Sequence, residues 1–500
     1  MVSDMSLIEI EQIDATNLKI NCDKGYAKEL NDFFTFKVPN YQYTPAYRNK
    51  IWDGQIRLFN LFTRTLYCGL LHQLEKFCSD RNYSYTLNLK KQETSQFEDI
   101  TKFLSKLKLS NGKQKIELHD HQRSAIVDAI MNKRCLLLSP TGSGKSLIIY
   151  CLVRYFLQNI PDKKILIITP TTGLVTQLQS DFLEYSHDDE EFSGKDIHTI
   201  FSGKEKQTNN RVVISTWQSL YKLNESFFED FSVVVGDECH LYKAKSLTTL
   251  LSKLKNAYYR FGTTGTLDDS KTHKLVIEGL FGPTIKVVTT KELIDKNILA
   301  NLKINCLVLS HDDEKKKEVK RVKYQEEIDW LVKSKERNEF ICELSAKLKG
   351  NTLILFNYVE KHGKLLYEMI PEFTDKEIYF IHGKTDVEDR EMIRKYLDLN
   401  DNCVLIASYG TCSTGINIKN IHNIIFASPS KSVIRVLQSI GRGLRISSSK
   451  DKATLYDVSD DLSWKSYENH TLKHLHERIK IYTNEKFNYE LFKIRLKEKL

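Results

Sequence analysis

A chain of 500 residues with 41% hydrophobic and 28% charged side chains has an ordinary globular composition, long enough for about two to four cores. Only 8 prolines argue against a long Pro-rich linker, and ten scattered cysteines with no Cys-x-x-Cys pair argue against zinc knuckles and thioredoxin-type sites. The net charge of +9 suits a polyanionic partner without specifying one.

The opening "MVSDMSLIEI" lacks a basic segment followed by an apolar core, so no secretory signal is expected. No apolar run approaches the roughly 18 residues of a membrane span, and a cytoplasmic setting is the expectation. Residues 1–105 are rich in aromatics and short mixed segments, and read as a small α+β domain. Residues 106–305 alternate helical stretches with the apolar runs "RCLLLSP", "KILIITP", "RVVISTW" and "SVVVGDE". Short continuous runs of this kind fit parallel strands covered on both faces, hence βαβ units. The charged stretch "SHDDEKKKEVKRVK" (310–323) is expected in or near the passage between two halves. Residues 306–460 restart the pattern with "NTLILFN", "EIYFIHG", "NCVLIAS" and "NIIFASP". The predicted fold is α/β, two tandem parallel-sheet domains of the P-loop NTPase kind, with 461–500 as a helical segment packed on the second.

The segment "LLLSPTGSGKSLII" (136–149) carries the first chemical signal. A strand ends, a Gly-rich turn follows, and a helix opens at Lys145. Backbone N–H groups of such a loop, Thr141, Gly142, Ser143 and Gly144 among them, suit the phosphates of ATP. Lys145 would reach the β and γ phosphates, and the Ser146 hydroxyl would hold Mg²⁺. The strict pattern has Gly where this chain has Ser139, so the match is to a "PTGSGKS" variant.

The segment "FSVVVGDECH" (231–240) delivers two carboxylates to a strand end. Asp237 can hold Mg²⁺, and Glu238 can orient and deprotonate the attacking water. His240 lacks partner ligands in the sequence and is expected to couple the site to its neighbours.

These segments resemble the superfamily 2 helicases with two RecA-like domains. "DECH" is similar to their DEx[DH] box. "HDHQRSAI" (119–126) resembles the segment whose glutamine, here Gln122, contacts adenine. "TTGT" (263–266) resembles the motif linking hydrolysis to domain closure, and "QSIGRGLR" (438–445) the arginine motif of the second domain. Arg442 and Arg445 share a helix face by spacing, and such arginines are worth about 10³–10⁵ in rate when they meet a transferring phosphoryl group. Gln438 lies one turn earlier and would face the γ-phosphate or the water. Within the superfamily, "FFTFKVPNYQYTPAYRNKIWDGQIRLF" (33–59), "ASYGTCSTGINIKNIHNI" (407–424) and "NEKFNY" (484–489) resemble the UvsW-type helicases of T-even-like phages. That extends the resemblance over nearly the whole chain.

The resemblance implies an ATP-dependent DNA helicase acting on single-stranded and branched DNA, with RNA–DNA hybrids as further substrates. It would unwind or branch-migrate forks, crossovers and R-loops in recombination, repair and replication restart, with strand annealing besides. For a phage-encoded chain the setting would be the host cytoplasm, as a monomer or weak oligomer without membrane contact. Nucleic-acid contacts are implied at Pro170, Thr171, Thr172, Thr216, Trp217 and Gln218 of the first lobe. Those implied in the second lobe are Asn357, His382, Gly383, Thr414 and Gly415. Each is also explicable as a strand-end turn residue. Where many relatives carry Asp, this chain has Asn417. Gly415 and Asn417 are the residues placed near the ATP ribose. Arg48, Trp52 and Arg57 combine cation and aromatic near the start, as a nucleic-acid clamp needs. The alternatives are an RNA helicase of the DEAD/DEAH kind, the motor of a restriction enzyme, and a binding module with a dead ATPase.

Overall fold

Each of the eight apolar runs quoted above forms a strand; seven are buried on both faces, while Glu377–Ile381, at a sheet edge, is only partly buried. The computed structural model describes residues 7–90, 95–112, 114–193, 196–201, 203, 205–241, 244–267, 271–415, 418, 420–428, 432, 440–441, 444 and 452–496. Two units result, Met1–Ser139 with Gly144–Val287, and Pro140–Ser143 with Val288–Leu500. Each contains an all-parallel sheet of seven described strands, the architecture of a RecA-like domain.

In the first unit the strand order is Thr284–Lys286, Arg134–Leu138, Tyr259–Thr264, Phe231–Gly236, Lys164–Thr169, Val212–Thr216, Ile197–Ile200. The helix Lys145–Asn159 is buried along Leu147 to Phe156. Its one buried cation, Arg154, is matched by Asp189 at 2.6 Å.

The N-terminal domain is a small mixed sheet ordered Thr65–Tyr67, Asn17–Asn21, Ile8–Gln12, Tyr85–Asn88, with helices Lys24–Phe33 and Leu71–Asp80. Period-two alternation sends Ile8, Ile10, Leu18 and Ile20 inward. A short hairpin, Thr35–Lys37 with Gln55–Arg57, lies beside it in the chain.

This domain is not separate from the first RecA-like lobe. One continuous cluster runs from Ile8, Leu30 and Phe77 to Ile168, Val234 and Phe281. Ala15 donates to the Lys255 carbonyl at 2.9 Å, and Arg134 Nη2 donates to the Ala15 carbonyl at 2.7 Å. Arg260 is wholly buried and donates to Thr16 Oγ1 at 2.7 Å and to the carbonyls of Ala257 and Leu251 at 2.8 and 3.3 Å. A Cβ on Gly69 would stand 2.0 Å from the Glu278 carbonyl oxygen, so the two backbones touch. The sequence-based boundary near 105 therefore divides two sheets but not two cores.

The second sheet is ordered Glu377–Ile381, Cys403–Ser408, Thr352–Phe356, Asn423–Phe426, Lys452–Asp461, Asn301–Ser310, Tyr489–Arg495. Two expectations are corrected here. The passage between halves falls at Val287/Val288 rather than near 305, because Asn301–Ser310 pairs with Lys452–Asp461 in the second sheet. The charged stretch 310–323 follows that strand, as a helix Asp313–Glu318 capped by Asp312. The end of the chain is also not all helix. His470–Asn484 is helical, Lys486 closes it at φ 58, and Tyr489–Arg495 pairs with Ile304–Ser310.

Arg260 is held by acceptors that lose their donor if it is truncated. Arg260→Ala should cost about 3 kcal/mol or more, read as a lower urea midpoint of the first unit. A midpoint within error of wild type would show that the junction does not depend on this residue.

Candidate active site

All strands of the first sheet point one way, so their following loops share one edge. The loop after Arg134–Leu138 turns through Gly142 and Gly144 at φ 87 and 83 and enters the helix at Lys145. Ser143 Oγ donates to the Pro140 carbonyl at 2.7 Å, tightening the turn. Thr141 is half-buried in the same loop. A Cβ on Gly144 would lie 2.2 Å from Gln122 Nε2, so Gln122 packs directly on the loop. Gln122 is itself buried, its Oε1 accepting the His119 N–H at 2.9 Å.

Lys145 Nζ donates to the Ser139 carbonyl at 3.2 Å and lies 3.5 Å from Glu238 Oε1. Glu238 takes a left-handed backbone, φ 48, at the strand exit, and its carboxylate lies between Lys145 and His240. Asp237 accepts from Thr263 Oγ1 at 2.6 Å. Burial first, and the neighbouring Glu238 second, push the Asp237 carboxyl up to about 6, against the pull of Lys145. Its donor chemistry fits Mg²⁺: with the Ser146 hydroxyl it is an oxygen-only set, and the carboxylate gains most from a cation where water is scarce.

His240 Nδ1 and Thr264 Oγ1 are 2.6 Å apart and hydrogen-bonded, and the ring stands 3.5 Å from Glu238 Oε2. The "TTGT" segment thus touches both acidic residues' surroundings through consecutive threonines. One contact has no sequence signal: the Tyr185 hydroxyl lies 3.0 Å from Ser146 Oγ, 39 residues away at the end of helix Thr172–Tyr185.

The first-lobe nucleic-acid candidates collect on the neighbouring two strand ends. Thr171 caps helix Thr172–Tyr185 by accepting the Leu174 N–H at 3.4 Å. Thr172 and Gln218 are exposed, and Gln218 Nε2 donates to the Pro170 carbonyl at 3.2 Å. Thr216 is buried and hydrogen-bonds Ser219, and Trp217 is half-buried against the core. In the second unit Asn357, His382 and the helix Tyr409–Gly415, with Thr414 and Gly415, follow three adjacent parallel strands. The His382 ring is engaged in its own turn, Nδ1 accepting the Lys384 N–H at 3.2 Å. Asn417, Gln438, Arg442 and Arg445 lie outside the described residues.

In the N-terminal domain Arg48 is exposed, Trp52 Nε1 donates to the Gln55 carbonyl at 2.9 Å, and Arg57 pairs with Asp53 at 2.5 Å. With Tyr47, Lys50 and Ile51 they line an open groove of about 810 Å³.

Family comparisons match this layout. A model described as "Type III restriction enzyme, res subunit" matches 115–269, and the helicase conserved C-terminal domain matches 336–447. Residues 7–89 match the N-terminal domain of the DNA helicase UvsW. The ATP-dependent DNA helicase uvsW of Enterobacteria phage T4 is 36% identical over 508 residues, covering 98% of this chain and 100% of the relative. The chain belongs to the UvsW-type helicases. It is therefore an ATP-hydrolysing superfamily 2 DNA helicase. The crystal structure of T4 UvsW matches with a TM-score of 0.51 at 34% identity, covering 98% of this chain and 100% of that one. The DNA 3'-5' translocase XPB2 of Sulfurisphaera tokodaii is 26% identical over 384 residues, 69% of this chain and 81% of the relative. The restriction-motor alternative loses to the match over 7–89, and the dead-ATPase alternative to the helicase's ATP dependence.

Gly144→Ala should lower ATP turnover by roughly tenfold to a hundredfold, since alanine would be strained at this φ and would strike Gln122. Phosphate release at saturating ATP measures it, and undiminished turnover would refute the cradle geometry.

Proposed function

We propose that this helicase remodels branched DNA, unwinding or branch-migrating forks, crossovers and R-loops, and annealing strands. The groove of Tyr47, Arg48, Lys50, Trp52 and Arg57 carries the reading. It adds to the motor lobes a surface of aromatic faces and cations, suited to phosphates and unpaired bases together. Thr171, Thr172, Thr216, Trp217, Gln218, Asn357, His382 and Thr414 would track the backbone without reading sequence. The substrate range would include RNA–DNA hybrids, and the working form would be a monomer or weak oligomer in the host cytoplasm. No described helix is long and apolar enough to cross a membrane.

In the ATP site Lys145 would set its ammonium against the β and γ phosphates. Ser146 and Asp237 would hold Mg²⁺, which when bound neutralises charge on the transferring phosphoryl group. Glu238 would take the proton of the attacking water as its oxygen bonds to γ-phosphorus and the bond to the β–γ bridging oxygen breaks, leaving ADP. Thr263 would fix Asp237, and His240 would relay the state of Glu238 to Thr264. Gln122, Gly415 and Asn417 would hold the nucleoside. Arg442, Arg445 and Gln438 would stabilise charge on the phosphoryl group, a role proposed from the sequence.

Steady-state hydrolysis with single-stranded DNA, linear duplex, a four-way junction and single-stranded RNA tests the reading. The junction should stimulate most, and Lys145→Ala should abolish turnover while DNA binding stays within a few fold. Strongest stimulation by RNA would replace this reading with an RNA helicase. Because the N-terminal core is shared with the first lobe, Trp52→Ala and Arg57→Ala test the groove better than truncation does. About tenfold weaker junction binding is expected.

A further inference from the structure

The turn at 60–64 presents an aromatic ring that neither the ATP site nor the groove uses. Phe62 is 96% exposed, while Leu58, Phe59 and Leu66 around the turn are buried. The turn is braced. Asn60 Oδ1 accepts from the backbone N–H groups of Phe62 at 2.9 Å and Thr63 at 3.0 Å, and the Asn60 N–H donates to the Thr65 carbonyl at 2.9 Å. The hydroxyls of Thr63 and Thr65 are 2.7 Å apart, and Lys19 Nζ donates to the Thr63 carbonyl at 2.8 Å. Arg64 adopts φ 56 and donates to the Asp23 carbonyl at 3.3 Å.

A turn held by this many hydrogen bonds does not fold back to bury the ring, so the ring stays in water until something covers it. A single phenyl is far smaller than the roughly 800 Å² per partner of a stable protein interface. It does match one nucleobase. A π-face with the cations Lys19 and Arg64 at its base meets both a base and the phosphates beside it.

We propose that Phe62 stacks on an unpaired base at the branch point of bound DNA and so holds the strands apart there. The inference rests on the branched-DNA reading above. As each base pair opens ahead of the motor, the exposed base face loses its stacking partner, and the ring replaces it.

The test uses the full chain and a fork carrying 2-aminopurine at the branch point, with a single strand carrying the same probe and an unbranched duplex as controls. Wild-type binding should quench the branch-point probe. Phe62→Ala should abolish the quench and weaken fork binding about tenfold, leaving duplex binding unchanged, and Phe62→Trp should restore both. An exposed site makes misfolding of the variants unexpected, and circular dichroism checks it. A Phe62→Ala variant that quenches and binds every substrate as wild type does would overturn the inference. So would unchanged DNA signals with a loss of self-association in sedimentation, which would make Phe62 a protein contact. A wild-type protein that binds fork and duplex equally would instead sink the branched-DNA reading, while the single-strand probe would still report whether Phe62 stacks.

Discussion

The candidate site depends on the parallel ladder of the first sheet. Strand Tyr259–Thr264 is hydrogen-bonded to Arg134–Leu138 on one side and to Phe231–Gly236 on the other. That register sets Thr264 opposite Leu138, one residue before the phosphate loop, and Gly262 opposite Gly236, one residue before Asp237. Thr263 and Thr264 can then reach Asp237 and His240 from the strand between. A slip of one residue would send both threonines to the wrong faces, so the ladder decides the chemistry.

Electrostatics follow from burial at that edge. Asp237 and Glu238 face one ammonium, Lys145, where little water reaches. Burial, and after it the neighbouring Glu238, raise the Asp237 carboxyl, and that makes the edge receptive to a cation. The loop beside it offers the opposite, a run of backbone N–H groups at a helix start, receptive to phosphate. A nucleotide carried with its cation satisfies both halves.

The N-terminal domain is tied to this edge's own lobe by a common core and by Arg134 and Arg260. Buried guanidiniums bonded to neutral oxygens are costly to form; burial, with Arg134 as a lesser cause, pushes Arg260 down to about 9. Arg260 offsets that cost by donating to the carbonyls of Ala257, Leu251 and Leu254 and to Thr16 of the docked domain, and Arg134 reaches the Ala15 carbonyl there. The groove and the Phe62 turn therefore move with the first lobe, not on a tether.

Much of the architecture is legible in residue order. Apolar runs of three to five residues bounded by turn residues fit buried strands, and "PTGSGKS" and "DECH" stand at the ends of two of them, because phosphate and cation chemistry each need a few residue types at short spacing. Edge strands were less legible: Tyr489–Arg495 mixes charge with apolar residues on a mostly exposed edge and reads as helix until its partner Asn301–Ser310 is known. Contacts between residues distant in sequence were not legible at all, as with Tyr185 at Ser146 and Arg260 at Thr16. By itself the sequence determined the central strands, the two loops proposed to hold phosphate and cation, and the family. Only the tertiary structure decided that the N-terminal domain shares the first lobe's core and that Phe62 stands exposed on a braced turn, because both follow from long-range packing, which local spacing does not encode.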